Sequence, residues 1–232
     1  MSDETKDLTV VHGGDIALPD LPDIPQELQT LSGAFLPYML LVQGLSPANQ
    51  PPHSIPQGNF AIRRAKGQYD NVTSEVDAYI IHRRMKAMFY DQATQKVKTV
   101  YDHESDEFKD MAEKADIKVQ GYSWGFEYLF FLPEYDTFLT YFASSKSARI
   151  SAQKSLETNR RKKVTIFTHQ VEAKGFKFWA FQARACSVAD AYPYDAVRSA
   201  QLAKEFDEGI LASEEDTALA DAPLVEGGER AR

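Results

Sequence analysis

The chain has 232 residues, 43% of them hydrophobic and 26% charged, with a formal net charge of −8 and a single cysteine. That length allows one substantial core, and lone Cys186 excludes an intramolecular disulfide framework and a cysteine-rich zinc site. No apolar signal region opens the chain, and the longest apolar run, Ala34 to Val42, contains Pro37 and is too short to span a bilayer, so the expected location is cytoplasmic.

The charge is unevenly spread. Residues 1–34 carry −6, residues 35–189 carry +5 and residues 190–232 carry −7. Within the middle, Ser144–Arg184 holds ten basic and two acidic residues. A basic centre between acidic ends suggests a domain that binds a polyanion, with tails that compete for the same surface.

Residues 1–34 are poor in aromatics and punctuated by Pro19, Pro22 and Pro25, which predicts a disordered acidic arm. A single domain is expected over 35–189. Its first strand falls in Phe35–Gln43, followed by a proline-rich loop to Gly58 and a short strand over Asn59–Arg64. Glu75–Arg84 and Lys86–Tyr90 read as one long bent strand, with Val76, Ala78 and Ile80 on one face and Asp77, Tyr79 and Ile81 on the other. Lys96–Tyr101 is its expected partner. Phe108, Met111, Ala112 and Ala115 then fall at helical spacing after the N-cap candidate Ser105. Ile117–Leu132 reads as strand, with Gly121 and Gly125 marking a turn or bulge, and Tyr135–Ala143 as another strand. Ser145–Asn159 has helix composition.

The most informative stretch is Arg160–Cys186. Four consecutive basic residues, Arg160, Arg161, Lys162 and Lys163, open two aromatic-rich strands separated by Ala173-Lys174-Gly175. Pairing Glu172 with Gly175 sets Val171 opposite Phe176 and His169 opposite Phe178. Phe167, His169, Phe176 and Phe178 then share one face, and Ile166, Trp179 and Phe181 share the other, the expected core side. Cations interleaved with rings are what single-strand binders use, the cations tracking phosphates and the rings stacking on bases. Basic clusters recur at Arg63, Arg64 and Lys66, and at Arg83, Arg84 and Lys86. These cations, Arg160–Lys163 and the Phe167 face make up the expected nucleic-acid site. A last amphipathic helix is expected within 190–209, and a disordered acidic tail over 210–232. Many short strands with a few helices point to a β-rich α+β domain, an OB-like Greek-key barrel with helical insertions.

No catalytic signature appears. The five histidines form no metal-ligand spacing, and His103, Glu104 and Asp106 read as residues capping a helix. No P-loop, GxGxxG or GxSxG is present. No cofactor, metal or enzymatic activity is expected. The rivals are a structural virion protein whose aromatic surface packs a neighbouring subunit, and a metal-dependent nuclease using strand carboxylates such as Asp77 and Glu127.

Pro37-Tyr38-Met39-Leu40-Leu41-Val42-Gln43-Gly44-Leu45-Ser46-Pro47 resembles the opening strand of a group of bacteriophage single-stranded-DNA-binding proteins, with a P-x-x-L-x-x-Q-x-x-S-P pattern. The Gly-centred turn Pro56–Phe60 follows as it does there. The resemblance implies an OB-like fold over roughly residues 35–186 and sequence-independent binding of single-stranded DNA in replication, recombination or repair. It also implies an acidic C-terminal tail that recruits replication or recombination proteins. The tail here ends in Glu229-Arg230-Ala231-Arg232, without the acidic and aromatic tip of that group.

Overall fold

The computed structural model describes residues 36–65, 67–94, 96–157, 163–173, 175–186 and 196–209. The expected arms at 1–34 and 210–232, the cations Lys66 and Arg160–Lys162, and the start of the expected last helix lie outside these residues.

Among the described residues nine strands form one sheet in the order β3-β2-β1-β7-β6-β4-β8-β9, with β5 also paired to β4. They are β1 (Tyr38–Leu41), β2 (Phe60–Ala65), β3 (Gln68–Asn71), β4 (Glu75–Asp91), β5 (Lys96–Val100), β6 (Tyr122–Leu132), β7 (Thr137–Ala143), β8 (Lys163–Ala173) and β9 (Phe176–Ala185). The helices are α1 (Asp106–Asp116), α2 (Lys146–Ser155) and α3 (Ala196–Asp207). The sheet is mixed, since β1 meets β7 in parallel, and it stays open where the sequence suggested a closed barrel. No helix among the described residues is long and apolar enough to cross a membrane.

The long strand β4 organises the sheet. One of its edges carries β6, while the other is shared by β8 along Glu75–Tyr79 and β5 along Ala87–Asp91. Its alternation is the one the sequence shows. Val76, Ala78 and Ile80 enter the main core with Tyr128, Phe130 and Ile166. Tyr79 faces the other way, against Leu129, Phe131 and the α3 residues Leu202 and Phe206. Both faces of the sheet centre are therefore covered, by α2 on one side and α3 on the other.

Local chemistry fixes the helix starts. The Ser105 hydroxyl accepts the Phe108 N–H, Asp106 and Glu107 occupy the first turn, and Phe108 and Met111 are buried. The Ser145 hydroxyl likewise accepts the Ala148 N–H, and α2 buries Ala152 and Leu156 against the main core. At the two glycines of the expected strand Ile117–Leu132 the structure separates two roles. Gly121 lies in the turn before β6, whereas Gly125 stays inside β6, where a Cβ would come within 2.1 Å of the Ala143 carbonyl.

The β8–β9 hairpin corrects the expected register by two residues. Ala173 pairs with Phe176, so Phe178 faces Val171 and His169 faces Ala180. The reason is Gly175, whose φ of +79° places it in the turn and off the ladder. A shift of two preserves the alternation of faces. Ile166 and Phe181 remain together in the main core, and Phe167, His169 and Phe178 remain together on the opposite, half-buried side.

Candidate nucleic-acid interface

The structure separates the expected cations that it describes into exposed or half-buried ones, Arg64, Arg83 and Lys163, and buried ones, Arg63, Arg84 and Lys86. Arg63 is buried, its guanidinium between the rings of Tyr38 and Tyr69 at 5.8 and 5.7 Å. Arg64 is exposed beside Asp70, 2.5 Å away. Arg83 is half-buried, 3.0 Å from Glu157 and over the Phe126 ring. Lys163 stands at the start of β8, with its ammonium 3.1 Å from Asp77.

Arg84 and Lys86, like Arg63, are buried and do not belong to an exposed nucleic-acid surface. Both side chains are buried, and both hold the buried carboxylate of Glu127, at 2.6 and 2.9 Å. Arg84 also donates to the Phe206 carbonyl at the end of α3 and lies over the Tyr101 and Phe206 rings. A register shift in β4 between Ile80 and His82 is the cause. The extra residue turns the even positions toward α3, so what reads as a basic cluster becomes the polar anchor of that helix.

Asp77 and Glu127, the carboxylates a nuclease would need, are each held by cations. Burial acts to raise the Asp77 carboxyl, but the hydrogen bond from Thr165 and the Lys163 ammonium outweigh it, leaving it below its ordinary value. Among the described residues no group of His, Cys, Asp or Glu is arranged to hold a metal ion.

What the structure brings together lies along the outer edge of β9. β1 and β9 form no ladder, but one side chain replaces it. Gln43 Nε2 donates to the Trp179 carbonyl at 2.8 Å, and the Trp179 N–H donates to Gln43 Oε1 at 3.1 Å. The carboxamide thus stands in for a peptide group at the seam. The Trp179 ring lies flat on Gly58, where a Cβ would come within 2.6 Å of it. Gly58 is itself at φ +85°, and its carbonyl accepts the Thr168 hydroxyl at 2.6 Å.

Two clefts adjoin along this edge, both lined by Ser147 and Ser151 of α2. The first, about 490 Å³, lies among Tyr38, Leu41, Tyr141, Phe178 and Trp179. The second, about 640 Å³, lies between α2 and β9 and carries Lys154, His169 and Arg184. Arg184 is exposed, over the Phe167 ring at 5.0 Å and paired with Glu75. Thus Phe167, His169 and Phe178 share one side of the hairpin, and of these Phe178 lines the first cleft and His169 the second, while Phe176 is in β9 with its side chain outside the described residues. Sequence reasoning assigned Trp179 to the core, yet it is half-buried in the wall of the first cleft. Tyr38, Gln43 and Tyr141 were missed as lining residues. Only Gln43 carried a signal, as the polar end of the apolar Tyr38–Val42 run.

Comparison with protein-family models, curated proteins and solved structures finds no match to this chain.

Proposed function

We propose that this chain is a sequence-independent single-stranded-DNA-binding protein acting in DNA replication, recombination or repair, without catalysis. The observation that carries the reading is the pair of adjoining clefts along the β9 edge, one walled by aromatic rings and the next carrying Lys154 and Arg184. Single strands need both: cations to follow phosphates and ring faces on which bases stack. The reading takes the open sheet as an OB-like platform, with β9 and α2 as the binding edge. The opening motif Pro37–Pro47, which resembles that of bacteriophage single-stranded-DNA-binding proteins, supports it further. Its Gln43 side chain is the group that holds Trp179 in place.

The test is an anisotropy titration of a labelled single-stranded oligonucleotide, without divalent metal, at several salt concentrations. Binding is expected with log K falling linearly with log salt, by about 0.7 per phosphate contact. Replacing Arg160, Arg161, Lys162 and Lys163 together by Ala should flatten that slope by roughly one to three. Absence of binding at low salt, or degradation of the strand on adding metal, would overturn the proposal.

A further inference from the structure

The first cleft has a feature that the general reading does not require: it is a split in the sheet with no charge in its lining. β1 and β7 pair only at Tyr38 and Thr140. Beyond that point they diverge, and β9 and the first turn of α2 lie across the gap. The main chain at the split follows from the register. Val42 uses its N–H and C=O on Asn59 and Gly58, both at 2.9 Å, and so faces β2. Leu41, its neighbour, lies opposite Phe60 in a position that turns its own N–H and C=O away from β2. On the other bank the Thr140 N–H goes to the Pro37 carbonyl at 2.9 Å, and Phe142, two residues on, turns its main chain the same way. Among the described residues no strand pairs with β1 beyond Tyr38 on this side.

The cleft therefore offers main-chain donors and acceptors between aromatic walls, and its lining residues are all uncharged. A phosphate would meet no cation there, and an ammonium group no carboxylate. A neutral, planar, apolar-faced group with hydrogen-bonding edges matches on every count. The volume of about 490 Å³ is that of a small-molecule site and admits no helix or duplex. On the β9 bank a second strand is disfavoured, because Gln43 already satisfies the Trp179 main chain. The cleft is also continuous with the cation-bearing one through Ser147 and Ser151. Resting on the proposed function, we infer that the β1–β7 split is a pocket for one unpaired nucleobase, while the backbone of the strand follows the α2–β9 cleft outside it.

The experiment compares a thymidine oligomer with an abasic oligomer of equal length and phosphate count, on the full chain. The thymidine oligomer should bind at least ~10-fold tighter. Ser147→Trp, an exposed substitution at the mouth that the two clefts share, should abolish the preference for the thymidine oligomer over the abasic one. In a Trp124→Phe background Trp179 is the sole tryptophan, and its emission should change with the thymidine oligomer and stay constant with the abasic one. Equal affinity for both oligomers, or a base preference that survives Ser147→Trp with constant Trp179 emission, would overturn the pocket and leave single-strand binding standing. Failure to bind either oligomer would overturn both.

Discussion

Phe178 and Phe181 lie three residues apart on β9 and face opposite sides of it, so the same substitution separates packing from stacking. Phe181 is 2% exposed, edge-on to Tyr141 at 4.8 Å, in the main core with Val164 and Ile166. Truncating a buried Phe to Ala typically costs about 3–5 kcal/mol. For a domain of this size each kcal/mol lowers the melting temperature by about 2–4 °C, so Phe181→Ala should lose roughly 6–20 °C. Phe178 is half-buried on the opposite side, opposite Val171. Its truncation forfeits less packing and should leave melting within a few degrees of the parent. A ring that stacks on a base contributes about 1–3 kcal/mol to binding, so Phe178→Ala should weaken affinity by about 5- to 150-fold. Circular-dichroism melts and anisotropy titrations on the two variants read both quantities. If Phe178→Ala melts as low as Phe181→Ala and binds as tightly as the parent, this side of the hairpin is core and the stacking role is refuted.

Two further expectations concern charge. Glu127→Ala removes the carboxylate that two buried cations share; breaking such a pair costs about 3–5 kcal/mol, and a loss under about 1 kcal/mol in urea unfolding would show that the anchor of α3 lies elsewhere. Residues 210–232 hold six acidic and two basic residues, so truncation after Gly209 should tighten DNA binding, most at low salt where screening is weakest; equal or weaker binding would reject competition by the tail.

Elements with a local cause were legible in the sequence. The cap Ser105, the helical spacing of Phe108 and Met111, and the two apolar faces of β4 all follow from neighbours within a few residues. The two hairpin faces were legible for the same reason, since a period of two survives an even slip in register. What escaped depends on distant partners. Arg84 and Lys86 look like a surface cluster until Glu127 is set between them, and that carboxylate lies on another strand. The register shift that aims them at α3 leaves no glycine or proline as a signal. Strand β3, four residues with no alternating apolar pattern, was not expected at all. The contact between Gln43 and Trp179 spans 136 positions in the chain. Nothing local to Trp179 distinguishes it from Phe181, and both read as core.

That long-range contact also explains why an open sheet is compatible with a stable seam. Exposed strand edges invite pairing with other chains, and proteins cover or interrupt them. Here β9 is covered piecemeal: Gln43 takes both main-chain groups of Trp179, and the Ser151 hydroxyl takes the Phe181 carbonyl at 2.6 Å. Side chains can do this at single positions and leave space between them, which a continuous ladder cannot. A closed β1–β9 or β1–β7 ladder would fill the split with backbone, and the aromatic walls would become core. The same substitution pattern thus serves both requirements: Gln43 protects the edge against a second strand, and in doing so holds the Trp179 ring at the wall of a cleft that remains open.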